Sequence, residues 1–320
     1  MIAFRRKLCY TFPLDIVKGA FRVSNQRKAD LALVLVTLFW GVSYYLVNLC
    51  LSELQPMNLN AFRFLLAFLV LGPIFWKKLR NISRATLKYS VIIGALLVGV
   101  YAGATYGVAY TSISNAGFIC ALPVVFTPLL DFVVNRRKPG KKLAVALVMC
   151  TVGLALLTLN EQFRPATGDL ICLVCAVCYA ADMLVTERAV ARPDVDAVTL
   201  GVCQLGAAGV LMLLVSALVE QPRLPQSPGI WGAAIFLGLF CSGIAFVIQS
   251  VAQQYTTASH VGVIFTLEPV FSGIVAYLFA DEKLLPRGYV GAALMLLSLL
   301  VMETDWSGLL KKLRAGHGAS

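Results

Sequence analysis

Apolar runs of about 17 to 24 residues follow one another along almost the whole chain, near 31–51, 58–76, 88–109, 113–135, 142–159, 168–187, 197–219, 229–252, 257–280 and 287–303, with short polar breaks between them. At about 1.5 Å of rise per residue, runs of this length cross a hydrocarbon core of roughly 30 Å as helices. The other way to satisfy backbone polar groups in lipid is a closed barrel, whose strands alternate over about 10 residues. These runs are twice that long and do not alternate. The predicted fold is an all-α polytopic membrane protein with ten transmembrane helices.

Composition agrees: 59% of the 320 residues are hydrophobic and 13% charged, against roughly 45–50% and about 25% in soluble domains. Little chain is left for a soluble domain. Residues 1–29 are polar and basic without an apolar stretch of the kind that ends a cleaved signal, so the first span is expected to serve as the insertion signal. All of the nine cysteines except Cys9 fall in or beside apolar runs, and no disulfide framework is suggested.

The breaks are not equally charged. Alternate connections, beginning with the N-terminal tail, hold 22 of the 27 Lys and Arg residues; the others hold only Arg164, Arg223, Lys283 and Arg287, and Arg63 lies inside a span. Basic loops stay on the cytoplasmic side. Both termini are therefore predicted to be cytoplasmic, and the net charge of +11 reflects topology rather than nucleic acid.

The chain also repeats itself. Shifted by 145, residues 110–126 fall on 255–271 with 8 of 17 positions identical, and a weaker match at a shift of 139 lays Trp40-Gly41-Val42-Ser43 on Tyr179-Ala180-Ala181-Asp182. Because five is odd, a second five-helix copy enters the membrane from the opposite side. The expected organisation is a basic tail (1–29), a first five-helix repeat (30–160), a second, inverted one (167–303) and a C-terminal tail (304–320). Inverted repeats of this kind build secondary transporters that rock about a midplane site.

The residues Trp40-Gly41 in the first span, Arg63-Phe64 in the second, Tyr110-Thr111 with Ser114-Asn115-Ala116-Gly117 before the fourth, and Leu267-Glu268-Pro269-Val270 in the ninth occur in order on this topology. In this set the chain resembles the drug/metabolite transporter superfamily, and within it the family with two EamA-type five-helix domains. The resemblance implies a cavity enclosed by helices 1–4 and 6–9, with helices 5 and 10 at the periphery. One departure stands out: Pro123 falls one place before the position of Pro269, opposite Glu268.

Candidate site residues follow from chemistry at depth. Glu268 lies about 15 Å into the ninth span, where an ionisable group is costly and faces protein or water. It either couples transport to substrate or proton, or pins helices together. Pro269 removes a backbone donor from the Phe265 carbonyl. Asp182, opposite Ser43 in the repeat, either binds a cationic group or proton or pairs with Arg188. For Arg63 the structural reading is favoured, snorkelling to the interface or reaching Glu53, over an anion anchor. The resemblance supports that preference, because relatives with different substrates share the arginine. His260, opposite Asn115, either exchanges protons or is a wet polar residue at a helix mouth. Asp131 with Thr127 and Asn135 is expected to form an interfacial ion pair near Arg136-Arg137-Lys138.

Trp40, Ser43, Tyr44, Asn48, Tyr101 and Tyr106 suit the wall of an organic-solute cavity, or are core and belt aromatics. Gly99, Gly103 and Gly107 mark a close helix contact. Cys172, Cys175 and Cys178 mimic a metal set, but no converging turn, His or second CxxC pair accompanies them. No P-loop, GxSxG or HExxH motif appears.

The expectation is a secondary, non-ATP-driven carrier in the cell membrane that exports amino acids, metabolites or amphipathic drug-like solutes by alternating access. It needs no cofactor or metal, the proton is a candidate coupling ion, and a homodimer is left open. The competing class is a non-transporting intramembrane scaffold or enzyme. Short connections weigh against the scaffold, and only Glu268 with Asp182 offers an enzyme its dyad.

Overall fold

The computed structural model describes residues 25–108, 110, 119–158, 167–279 and 285–303. They form helices and no strand. Besides the single turn Trp76–Leu79, in chain order these are α1 (Asn25–Cys50), α2 (Pro56–Ile74), α3 (Arg84–Val108), α4 (Pro123–Asn135), α5 (Lys141–Thr158), α6 (Thr167–Val190), α7 (Ala197–Val219), α8 (Pro228–Ala252), α9 (Ala258–Phe279) and α10 (Pro286–Glu303). By length and composition α1, α2, α3, α6, α7, α8 and α9 can each cross a membrane; these are seven of the ten expected spans. Within the described residues α4 and α10 are shorter apolar helices.

Helix starts are set by local chemistry. Asp196 accepts from the Thr199 amide at the head of α7, Ser227 from Ile230 ahead of Pro228 in α8, and Thr257 from His260 in α9. Each satisfies an amide that the first turn leaves without an intrahelical partner. Pro56 and Pro228 occupy positions where a missing N–H costs nothing.

Carboxylates from neighbouring elements complete these ends. Glu220, at the end of α7, accepts from the Met57 and Asn58 amides of α2 at 3.0 and 2.8 Å, and from Ser216 and Tyr106. Glu53, after α1, accepts from Gln226 and Ser227 at the head of α8 (2.7 and 3.2 Å). The Ser227 hydroxyl and these amides hold its carboxyl below the ordinary range. At the other end Glu187 of α6 accepts from the Ala258 amide of α9 at 2.7 Å and from Arg137 at 2.6 Å, and Lys78 meets Asp196 at 2.9 Å. Exposed pairs such as the last contribute little, whereas Glu220 holds the start of α2 to α7. Glu220→Ala strands two amides and is expected to cost about 2–3 kcal/mol, read as a fall in the thermal unfolding midpoint. An unchanged midpoint would show that water replaces the cap.

Small residues bring the helices together. A Cβ on Gly103 of α3 would lie 2.7 Å from the Cys175 backbone nitrogen of α6, while Gly99 and Gly107 face Cys178 and Cys172. The glycine and cysteine stripes are thus two sides of one contact, which accounts for the spacing of both. Gly153 likewise lets α5 approach Gly291 of α10, and Gly41 lets α1 approach Phe271 and Ser272 of α9.

Two helices are irregular where the site forms. α8 carries a π-helical stretch, Leu237–Ile244, a feature often found at functional sites. α9 is interrupted at Thr266–Leu267, so that a second half-helix starts at Glu268. A turn at Ala121–Leu122 precedes α4 in the same way. Under the shift of 145 the bonds coincide: Leu122 to Ile119 (3.1 Å) falls on Leu267 to Ile264 (3.0 Å), and Phe126 to Leu122 on Phe271 to Leu267, both 3.0 Å. The one-place offset of the prolines does not displace the break. Pro123 and Pro269 each sit in the first turn of the new helix, where the amide they lack would have no partner in that helix.

Candidate functional site

The half-helix that begins at Glu268 presents its positive end to the interior. Tyr44 of α1 donates to Glu268 Oε1 at 2.7 Å. Glu268 is half-buried, yet Tyr44 is 55% exposed. Tyr44 nonetheless lies within electrostatic reach of Cys120, just before α4, and of Cys175 on α6. Tyr44 keeps open surface next to the half-buried Glu268, and the space beside this pair is the candidate crevice. The Glu268 carboxylate is at its wall.

Aromatic rings build the rest. Trp40 is packed against Phe265 at 4.8 Å, Phe246 at 5.7 Å and Tyr179 at 6.2 Å between centroids, and Tyr179 stacks on Phe265. Its indole donates to the Cys241 carbonyl at 2.8 Å, in the π-helical stretch of α8. Phe64 packs edge-on to Tyr101 at 5.2 Å. These contacts join α1, α2, α3, α6, α8 and α9 around one centre.

Arg63 is 3% exposed. Its Nε donates to Ser242 Oγ at 2.6 Å, and its guanidinium lies 5.5 Å from the Tyr101 ring and 5.9 Å from that of Phe64. The expected reach to the interface or to Glu53 is not what forms, because backbone amides of Gln226 and Ser227 capture Glu53. Arg63 instead turns inward, close enough to act on Glu268 electrostatically. The guanidinium is thus buried against aromatic rings without an ion-pair partner among the described residues.

The remaining sequence candidates divide. Ser43 is buried and donates to its own helix at Trp40 O (2.7 Å), which spends its hydroxyl on α1. Tyr106 reaches Glu220 at 3.3 Å and belongs to the α2 cap rather than the crevice. His260 Nε2 lies 3.2 Å from Asp30 Oδ1, joining α9 to α1 near the basic loops. Asp182 is 1% exposed and accepts from Gln249 at 3.3 Å, not from Arg188, which donates to Asn135. Asn135 in turn donates to Asp131, so Asp131 is linked to Arg188 through an amide, while Arg137 of the adjoining loop pairs with Glu187. Asn115 lies outside the described residues. Sequence reasoning missed Asp30, Ser242 and the π-helical stretch; only the small Cys241-Ser242-Gly243 run hinted at a close approach there.

The model of the EamA-like transporter family matches residues 27–159 and again 166–304. The chain belongs to the EamA-like transporter family. It is a multi-pass membrane transporter. An uncharacterized transporter of Archaeoglobus fulgidus is 27% identical over 86% of this chain and 85% of its own length. A biotin transporter of Salmonella typhimurium is 22% identical over 84% of the chain and 91% of that protein. One solved structure superposes with a TM-score of 0.74 at 18% identity, covering 86% of this transporter and 96% of that chain, which speaks for the fold.

Proposed function

We propose that this transporter is a secondary carrier that moves an amphipathic organic solute by alternating access, two inverted five-helix repeats rocking about the Glu268 crevice with both termini cytoplasmic. The observation that carries the reading is the Tyr44–Glu268 contact: an accessible carboxylate at a helix break, walled by aromatic rings with Arg63 nearby. Carboxylate and guanidinium suit the two poles of a zwitterion, and rings suit its apolar body. Amino acids and their amphipathic derivatives fit this description, and export is the direction put forward. The matching breaks before α4 and within α9 supply equivalent flexible points in the two halves. The proton is proposed as the coupling ion.

The test is counterflow in liposomes with aromatic amino acids, amphipathic amines and carboxylates; biotin joins the panel because a relative bears that name. Saturable exchange of a zwitterionic aromatic solute is expected, with Tyr44→Phe raising its apparent KM a few-fold, as for one lost hydrogen bond of about 1 kcal/mol. An intramembrane scaffold or enzyme would exchange nothing, and that outcome would overturn the reading.

A further inference from the structure

A second polar group lies away from the crevice. Asp182 of α6 is 1% exposed, and Gln249 and Gln253, one turn apart on α8 and its C-cap, are 2% exposed each. Gln249 Nε2 donates to Asp182 Oδ2 at 3.3 Å, and Gln253 Nε2 to the Met183 carbonyl at 2.8 Å. Next to them Gln204 of α7, also 2% exposed, donates to Ser250 Oγ, whose own hydroxyl is spent on the Phe246 carbonyl.

These partners fix the amides. A carboxylate, a carbonyl and a hydroxyl already used as donor can only accept, so each glutamine must turn its nitrogen towards them. Each glutamine is then left with its carbonyl oxygen free to accept. Asp182 Oδ1, Gln249 Oε1, Gln253 Oε1 and Gln204 Oε1 are all buried with no donor among the described residues. Other carboxylates of the chain are better provided for: Glu53, Glu187, Glu220 and Asp196 each accept from backbone amides. Asp182 has no such amide and no basic partner among the described residues.

A buried negative charge beside surplus acceptor oxygens, with no donor to meet them, is complementary to a small positive charge. From this geometry we propose that Asp182, Gln249 and Gln253 bind a monovalent cation, separately from the solute crevice. The donor set is all oxygen, which suits a hard cation, an alkali ion or a proton shared between carboxyl and amide oxygen, and not a thiophilic metal. Tyr179, one turn before Asp182, lies within electrostatic reach of both Asp182 and Glu268. Among the described residues the titratable groups in reach of Asp182 are Cys178 and Tyr179 of the same helix, while α7 and α8 present glutamines and serines.

The experiment needs no solute, so its result is independent of the transport reading. Thermal unfolding of the purified full-length protein in choline chloride is followed while NaCl, LiCl or KCl replaces choline, and in a second arm while pH is varied without alkali ions. The wild type is expected to show a saturable rise in midpoint with one alkali ion that is absent in Asp182→Asn. A pH-dependent midpoint that Asp182→Asn flattens, without an alkali response, assigns the proton as occupant of the same site. No response in either arm, or equal responses in the variant, overturns the proposal. Gln253→Leu serves if Asp182→Asn does not fold, and about a tenfold higher half-saturating concentration is expected of it; an unchanged one removes Gln253 from the site.

Discussion

Glu268→Gln is expected to abolish proton-coupled solute flux in liposomes while leaving a folded, monodisperse protein. The amide keeps an oxygen where Tyr44 donates at 2.7 Å, so the bond between α1 and α9 survives. What disappears is the charge, and with it the capacity to carry a proton or hold a cationic group. A charge-assisted contact is worth about 2–3 kcal/mol, or roughly 30- to 150-fold in apparent affinity; loss of the coupling proton would remove accumulation altogether. The measurement is uptake driven by an imposed pH gradient, compared with counterflow in its absence. If the variant kept wild-type, pH-sensitive flux, Glu268 would be a structural tie and nothing more. Asp182→Asn in the same assay tells whether the two acids act together, since Tyr179 lies within reach of both.

The fold was more legible than the site, for physical reasons visible in particular residues. The seventh span was read as 197–219 and α7 runs Ala197–Val219, because Asp196 caps one end and polar residues close the other. Pro269 marked a break in α9, whereas the one-place offset of Pro123 spoke against an identical bend in the fourth span, and the turn before α4 shows only in the backbone bonds. The glycine and cysteine stripes were each visible, but periodicity does not name a partner, and only packing put Gly103 against Cys175. Arg63 was expected to snorkel to the interface or reach Glu53, yet amides at the head of α8 hold that carboxylate and Arg63 meets Ser242 instead. The Gln204, Gln249 and Gln253 oxygens carry no formal charge, so a scan for charges in apolar spans passes over them. Their meaning depends on which groups already occupy their nitrogens, and that is a property of the packed bundle.

The contact between α3 and α6 gives the largest expected loss of stability. Gly103→Val would drive a branched side chain into the Cys175 backbone, with the Cβ alone 2.7 Å from its nitrogen and 3.1 Å from its Cα. Main chain inside a membrane helix cannot step aside without parting the helices. Overpacking of this kind costs about 1–3 kcal/mol where side chains can yield and more where they cannot, so little folded protein is expected by size-exclusion chromatography after solubilisation. Gly232→Ala, with nothing within 4 Å of the added carbon, serves as the control and should be neutral or stabilising by up to about 1 kcal/mol. Wild-type yield and midpoint for Gly103→Val would show that α3 and α6 do not meet as described. Rescue separates the two kinds of clash along this stripe. At Gly99 the added carbon meets the Cys178 sulfur at 2.7 Å but its Cβ at 3.4 Å, so Cys178→Ala should relieve Gly99→Ala. Cys175→Ala leaves the backbone nitrogen in place and should not relieve Gly103→Val, which makes the sign of the two coupling energies a direct reading of what each glycine touches.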